Sequence, residues 1–209
     1  MRLNKSRFIS FEGIDGCGKS TQAKLILDKL NKNGCKTILV REPGGTRISE
    51  SIREILLTKG MDELQDRTEA LLMTASRAQL TDEVIFPQLE SGHWVIADRY
   101  TDSTLAYQGG GRKLDLNWLI QLNDFATSDL HPDLTIVVDV LPEEGYRRRH
   151  STNPDRIEKA GLDLQHNVRN MYLELAKRFP ERIMIVDGHE TIENIQRIIW
   201  HEINRRFFQ

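Results

Sequence analysis

Short apolar runs alternate along the chain with longer segments in which apolar residues recur every three or four positions. The runs are rich in β-branched residues, which is typical of strands buried on both faces. They are Phe8–Phe11, Thr37–Val40, Trp94–Ala97, Leu134–Val140 and Ile183–Val186. Strands that alternate with helices predict an α/β fold with a five-stranded parallel sheet, flanked by helices on both faces.

The longer segments predict the helices between these strands. They are Lys19–Lys32, Arg67–Glu90, Leu114–Thr127, Pro142–Arg149, Leu162–Phe179 and Ile192–Phe207. In the longest of them, the spacing predicts that five residues face inward: Leu71, Leu72, Ala75, Ala78 and Leu89. Pro87 is expected to bend or end this helix near its last turn, because proline cannot donate a backbone hydrogen bond.

The loop after the first predicted strand carries a phosphate-binding pattern. Residues 13–20 read G-x-x-x-x-G-K-S, between an apolar strand and an amphipathic helix. In this setting backbone N–H groups surround the phosphates of a nucleotide, and the start of the helix adds its positive dipole end. Lys19 would reach the terminal phosphates, and Ser20 would offer its hydroxyl to Mg²⁺. The loop residues predicted to bind the nucleotide are Gly13, Ile14, Asp15, Gly16, Cys17, Gly18, Lys19, Ser20 and Thr21.

Polar loops also follow the second and third predicted strands. Residues 41–46 read R-E-P-G-G-T, and Asp98-Arg99-Tyr100 ends the third apolar run. Ligands of open parallel sheets bind beyond the carboxyl ends of the strands. Asp98 is therefore a candidate for holding Mg²⁺ or its water, with a helix or turn cap as the alternative. Arg99 could clamp a second phosphate with two hydrogen bonds, so the pattern predicts that two phosphorylated ligands meet here.

Length and composition predict a single domain over residues 1–209. With 29% charged and 39% hydrophobic residues and a net charge of −2, the chain has no signature of disorder or of general attraction to nucleic acid. Its two cysteines, Cys17 and Cys35, fit a reducing compartment. No signal-peptide pattern and no run of about 18 apolar residues is found, so we expect a cytoplasmic protein without a membrane partner.

An ordered set of motifs extends over essentially the whole chain. It comprises Phe11–Thr21, the R-E-P-G-G-T segment, Asp98–Tyr100, Ala106–Arg112 (A-Y-Q-G-G-G-R), Pro132–Leu134 and Asp155–Glu158. This set, in this order, resembles the bacterial-type thymidylate kinase family. The resemblance implies a P-loop nucleoside monophosphate kinase fold with a short lid, and a homodimer. It also implies transfer of the γ-phosphoryl group of ATP to dTMP, with Mg²⁺, giving dTDP and ADP for dTTP biosynthesis.

The same resemblance implies roles for individual residues around dTMP. Arg99 would bind the dTMP phosphate, and Arg77 would donate a hydrogen bond near the edge of thymine. Asp15 would accept a hydrogen bond from the 3′-hydroxyl, and the Tyr107 ring would disfavour a 2′-hydroxyl. Arg53 is a further phosphate candidate, on a short helix after Thr46. The nucleoside pocket would be completed by Glu42, Pro43, Thr104 and Gln108.

One residue departs from the pattern of the family. Met73 stands where many members have a phenylalanine that stacks on thymine. A thioether can still cover an aromatic base, so Met73 is expected either to line the thymine site or to belong to the core.

The basic segment 146–158 is expected to form the lid. The alternative is that these charged residues form a solvent-exposed surface without a function as a lid. Some family members place an arginine in the phosphate loop, but this chain has Cys17 and no basic residue before Lys19. The resemblance then implies that the lid supplies the transition-state arginine, Arg148 or Arg149, and that Arg156 supports ATP binding.

Three other functions remain as alternatives. The first is a kinase for another nucleoside monophosphate or for a small metabolite, which the D-R-Y and Y-Q-G-G-G segments do not favour. A GTPase-like switch needs Asn-Lys-x-Asp, but Asn31-Lys32-Asn33-Gly34 has glycine at the last position. A DNA-translocating ATPase predicts a basic groove, which a net charge of −2 does not favour.

Overall fold

The protein folds around a central parallel sheet of five strands. The computed structural model describes residues 6–58, 64–149, 156–157 and 161–208. The strands are β1 Phe8–Glu12, β2 Thr37–Arg41, β3 Trp94–Asp98, β4 Leu134–Asp139 and β5 Ile183–Asp187, in the spatial order β2-β3-β1-β4-β5. The prediction of five parallel strands is confirmed. Four strands extend one residue further than predicted, because a polar last residue still pairs with the neighbouring strand.

Helices connect the strands and cover the sheet. Their bounds are α1 Lys19–Lys32, α2 Arg47–Leu57, α3 Asp66–Leu80, α4 Phe86–Glu90, α5 Thr101–Thr104, α6 Leu116–Thr127, α7 Pro142–Arg148, α8 Gly161–Arg178 and α9 Ile192–Phe207. Two π-helical turns, Thr81–Ile85 and Leu105–Gly111, follow α3 and α5. Within the described residues, no helix is long and apolar enough to span a bilayer.

Alternation along the strands places apolar side chains on both faces of the sheet. On β1, Ile9 packs in the larger core, whose helical side chains include Ile26 of α1 and Ile199 of α9. Phe8 points to the opposite face, where it joins a smaller core with Leu80 at the end of α3. Helices therefore cover both faces, as the sequence predicts.

The predicted helix Arg67–Glu90 is in fact two helices joined by the π-helical turn Thr81–Ile85. Pro87 lies in the first turn of α4 and does not end it, because the first N–H groups of a helix have no partner within the helix and a proline there loses no bond. The prediction that Leu71 and Ala75 face inward was wrong, since both are exposed. The face that α3 buries is largely polar, so a hydrophobic pattern could not identify it.

Strand β1 lies between β3 and β4, so the chain leaves it first to one side and later to the other. This reversal of direction opens a crevice at the carboxyl ends of the strands. The phosphate-binding loop after β1, residues 13–18, and the D-R-Y turn after β3 both enter that crevice.

Candidate active site

The phosphate-binding loop depends on glycine for its backbone path. Gly13 and Gly18 have φ values of +132° and +98°, which side chains disfavour. Gly16 lies so close to the backbone of Gly145 in α7 that a Cβ could not fit between them. Cys17 fills buried space in the loop, and its burial raises the pKa of the thiol. The loop therefore has a fixed shape and packs closely against the middle of α7.

A cavity of about 240 Å³ lies beside this loop at the carboxyl edge of the sheet. It is lined by Lys19, Ser20 and Asp98, and by Ser103, which the sequence did not suggest. All ten residues predicted for the acceptor nucleotide also line it: Asp15, Glu42, Pro43, Arg53, Met73, Arg77, Arg99, Thr104, Tyr107 and Gln108. Lys19 Nζ lies 3.5 Å from Asp15 Oδ1, so the residues predicted for the donor and for the acceptor adjoin.

The two residues predicted to hold the metal face each other. Ser20 Oγ in the first turn of α1 donates to Asp98 Oδ2 at the end of β3, at 2.5 Å. A hydroxyl and a carboxylate are the hard oxygen ligands that Mg²⁺ prefers, and Mg²⁺ commonly takes its remaining ligands from phosphates and water. The described residues contain no group of three or more His, Cys, Asp or Glu side chains that could hold a metal by itself. The pair thus fits Mg²⁺ bound together with a nucleotide.

Arg99 is held over the cavity by an uncommon backbone conformation, with φ at +75°. Its Nη2 donates to Asp15 Oδ1 at 2.5 Å and to Tyr107 Oη at 3.0 Å, and its guanidinium lies 4.8 Å from the centre of the Tyr107 ring. Burial opposes ionisation of Asp15, but the charges of Arg99 and Lys19 outweigh it and hold its pKa below the usual range. Burial raises the pKa of Tyr107, so this phenol keeps its proton.

The other nitrogen of Arg99 contacts residues that sequence reasoning missed. Its Nη1 donates to Gly13 O at 3.0 Å, to Ser103 Oγ at 3.2 Å and to Tyr172 Oη at 3.3 Å. Both hydroxyls in turn contact Glu12, which is fully buried at the end of β1. A charged residue that ends an otherwise apolar strand was the available signal for Glu12.

Arg77 lies in the wall of the cavity and is only 2% exposed. Its Nε donates to Glu42 at 2.8 Å, and its Nη1 donates to Thr104 and Asn123, each at 2.7 Å. Its Nη2 donates to Tyr100 O at 2.9 Å and lies 2.7 Å from Glu42. Each of its five N–H groups thus has an acceptor within the protein.

The remaining acceptor candidates differ in their surroundings. Arg53 Nη1 donates to Pro43 O at 2.8 Å at the rim of the cavity. Gln108 Nε2 donates to Glu69 at 2.9 Å, and Met73 is half-buried with part of its surface on the cavity. Met73 therefore both packs against the core and lines the site.

The two arginines predicted to act in the transition state, Arg148 and Arg149, have different surroundings. Arg148 donates to Glu144 at 2.6 Å and to Gly188 O at 2.8 Å, in the loop after β5. The charge of Arg149 contributes to the low pKa of Asp15, and its guanidinium lies over the ring of Tyr146. The other lid residues, numbered 150–155 and 158, lie outside the described residues.

Arg156 does not join the phosphate-binding loop, although the sequence assigned it to ATP. It donates to Leu56 O at 3.1 Å and to Glu69 at 2.5 Å, and Glu69 also accepts from Gln108, one of the predicted acceptor residues. Glu69 also accepts from Arg112 at 3.1 Å. This cluster was missed because a glutamate in the first turn of a helix usually indicates a solvated position.

Comparison with known proteins finds one family. A family model described as thymidylate kinase matches residues 11–199. Curated thymidylate kinases from Magnetococcus marinus and Fervidobacterium nodosum are 43% and 48% identical to this chain. The alignments cover 98% and 92% of this chain and 98% and 95% of those proteins. The crystal structure of thymidylate kinase from Ehrlichia chaffeensis is 33% identical, with a TM-score of 0.74 over 95% of this chain and 98% of that one.

Proposed function

This chain belongs to the thymidylate kinase family, and from that premise we propose which of its residues carry each part of the reaction. The protein is an ATP-dependent enzyme that phosphorylates dTMP to dTDP. Such a transfer needs little covalent participation by the protein, because an oxygen of the dTMP phosphate is itself the nucleophile. Catalysis then depends on aligning two anionic substrates and on offsetting their charge.

The observation that carries the assignment of sites is that one cavity adjoins the phosphate-binding loop and contains every predicted acceptor residue. ATP would place its phosphates in the loop, residues 13–21, with Lys19 at the terminal phosphates. dTMP would fill the cavity with its phosphate toward Lys19. The 3.5 Å contact between Lys19 and Asp15 supports this arrangement, because it places the two phosphate sites side by side.

At the acceptor phosphate, Arg99 provides the cation, and Arg53 at the rim provides a second. Asp15 stays ionised and can accept a hydrogen bond from the 3′-hydroxyl of the deoxyribose, which Tyr107 borders. Ser20 and Asp98 would hold Mg²⁺, which supplies positive charge to the phosphates when it is bound.

At the thymine end, Arg77 shapes the cavity from within its wall, because its donors are bonded to Glu42, Thr104 and other protein groups. A direct contact to thymine requires the exchange of one of these bonds. Met73 would cover one face of the base. The other wall residues at this end are Pro43 and Gln108.

Of the two lid candidates, Arg149 is the better transition-state cation. Its charge acts on Asp15 beside the phosphate-binding loop, whereas Arg148 is bonded to Gly188 O beyond β5. Arg156 supports the acceptor wall through Glu69. The whole chain, residues 1–209, would form one domain. Within it, residues 146–158 would be the lid that closes over bound ATP.

The chain is also proposed to form a homodimer. α3 packs against α2 and α6, and these three helices expose Leu71, Ile48 and Phe125 to solvent, the last by 88%. A second copy would cover these apolar side chains. No nucleic-acid partner is proposed, given the net charge of −2. We assign the enzyme to the cytoplasm because both cysteines are free thiols, as is usual there.

Substrate choice is tested by measuring ADP release with dTMP, dUMP, dCMP, dGMP and AMP as acceptors. We expect the largest kcat/KM with dTMP, and a lack of stimulation by dTMP would overturn the assignment. Arg99→Ala should lower turnover at least about 100-fold and leave the Kd for ATP within about twofold. A loss confined to ATP binding would place Arg99 on the donor side instead.

A further inference from the structure

A buried carboxylate, Glu12, is bonded to the turn that carries Arg99. Glu12 lies at the carboxyl end of β1 and has no exposed surface. Its Oε1 accepts the backbone N–H of Tyr100 at 2.7 Å. Tyr100 directly follows Arg99, whose φ of +75° requires support from its surroundings. One oxygen of Glu12 thus holds the backbone of the strained turn.

The second oxygen of Glu12 acts on the side chain of Arg99 through two hydroxyls. Oε2 accepts from Ser103 Oγ at 2.5 Å and from Tyr172 Oη at 2.9 Å. Since each hydroxyl has one hydrogen and donates it to Glu12, its lone pairs remain for Arg99 Nη1. These three residues come from β1, α5 and α8. The direction of the guanidinium is therefore set from three elements at once.

The surroundings of Glu12 oppose its ionisation. Burial, and then the neighbouring Asp102, raise its pKa to about 7, against the opposing effects of Ser103 and Arg99. Arg182 also faces this group, but it is bonded to Asp102 at 2.5 Å. An ionised carboxylate in this position is unfavourable to the fold, and a neutral amide of the same shape would be less so.

We propose that Glu12 is a positioning residue for the acceptor phosphate: through Tyr100 N–H, Ser103 and Tyr172 it holds the Arg99 guanidinium in its binding orientation. The inference rests on the proposed role of Arg99 at the dTMP phosphate. Glu12 does not touch a substrate itself. We expect its effect on the acceptor side, because its three hydrogen-bond partners, Tyr100 N–H, Ser103 and Tyr172, support Arg99 and contact neither Lys19 nor Ser20 directly.

The test compares Glu12→Ala with Glu12→Gln by steady-state kinetics and by calorimetric titration of dTMP and of ATP. Glu12→Ala should lower kcat/KM for dTMP about 100-fold and change the Kd for ATP less than about twofold. Glu12→Gln retains an acceptor for Tyr100 N–H, and its amide NH2 can donate to both hydroxyls, each of which keeps a second lone pair for Arg99 Nη1, so this variant should recover at least about tenfold of the loss. If only the negative charge of Glu12 were required, Glu12→Gln would lose as much kcat/KM for dTMP as Glu12→Ala.

A double-mutant cycle asks whether Glu12 acts through Arg99. The Kd for dTMP is measured for the wild type, Glu12→Ala, Arg99→Ala and the double variant, since binding can be measured without turnover. In the Arg99→Ala background, Glu12→Ala should change the Kd less than about twofold. Glu69→Gln is the matched control for a buried glutamate bonded to arginine, and its effect should persist in that background.

Variants of the two hydroxyls give a second route if Glu12→Ala does not fold. Ser103→Ala with Tyr172→Phe leaves Glu12 and Tyr100 N–H in place and should weaken dTMP binding about tenfold, with the Kd for ATP unchanged. Folding of each variant is checked by far-UV circular dichroism and thermal melting.

The outcomes separate this proposal from the role assigned to Arg99. If Arg99→Ala leaves the Kd for dTMP unchanged, the role of Arg99 is wrong. If Arg99→Ala weakens dTMP binding but the Glu12 and hydroxyl variants do not, only the role of Glu12 is overturned. An equal loss for ATP and dTMP, or a full Glu12→Ala effect in the Arg99→Ala background, also overturns it.

Discussion

Replacing Arg77 with methionine tests whether the cavity wall depends on one buried ion pair. Methionine fills similar space but removes five N–H donors that now serve Glu42, Thr104, Asn123 and Tyr100. In this variant Glu42 is a buried carboxylate without a cation. Already in the wild type only its Oε2 is bonded to Arg77, and its Oε1 has no hydrogen-bond partner among the described residues. Burial already raises the pKa of Glu42, and Arg77 opposes that rise.

The expected cost follows from this geometry. Removing one partner of a buried pair costs about 3–5 kcal/mol, out of a total stability of about 5–15 kcal/mol. For a chain of 209 residues, about 1 kcal/mol lowers Tm by about 2–4 °C, so Arg77→Met should lower Tm by roughly 6–20 °C. Adding Glu42→Gln to Arg77→Met should recover about 2 kcal/mol, because the uncompensated charge is then gone.

Urea unfolding at pH 7.5, followed by circular dichroism, measures these differences. Arg67→Met is the matched control, since Arg67 is an exposed arginine of the same helix and should change stability by less than about 0.5 kcal/mol. A loss below about 1 kcal/mol for Arg77→Met would refute the argument. So would an equal loss for the control, or a double variant no more stable than Arg77→Met.

Three further changes test other parts of the site. In Gly145→Ala, the new Cβ would lie 2.6 Å from Asp15 O, so KM for ATP should rise about tenfold although alanine favours helix; an unchanged KM would show that α7 can move freely. Asp98→Asn should raise the Mg²⁺ concentration for half-maximal activity about 10–100-fold, and an unaltered Mg²⁺ titration would remove Asp98 from the metal site. The pKa of Glu12 is raised from 4.5 to about 7 on folding, so the folded protein holds this proton more tightly than the unfolded chain does. The resulting contribution to the free energy of unfolding is fully present below pH 4.5 and is lost as the pH rises through 7. Glu12→Gln should then unfold at the same urea concentration as the wild type at pH 4.5 but be more stable at pH 8, by up to about 3 kcal/mol, and equal stability at pH 8 would contradict this sign.

Local patterns were enough to predict the sheet and the phosphate-binding loop. The apolar runs identify the strands, and residues 13–20 specify both a turn and its ligand chemistry. α2 was indicated only as a short helix around Arg53, because its start depends on a cap by Thr46 and on a bond from Ser49 to Ser76 O in α3. Such a helix depends on contacts with distant residues more than on its own pattern.

The parts of the site that could not be predicted join residues far apart in sequence. Glu12 and Tyr172 are separated by 160 positions, and neither has a local signal that names the other. The sequence could name Arg77 as a candidate for binding thymine. It could not show that its donors are bonded within the protein, because Tyr100, Thr104 and Asn123 come together only in the fold.

The left-handed backbone at Arg99 has a consequence for laboratory evolution of this enzyme. Glycine at this position would relieve the strained φ of +75°, and such strain costs about 1–3 kcal/mol. The same change would remove the ion pair with Asp15 and the hydrogen bonds to Gly13 O and Tyr107, and this loss outweighs the relief of the backbone, so a screen for heat resistance has no favourable substitution at this position. Libraries selected for durability should keep codon 99 fixed and seek their gains elsewhere in the chain.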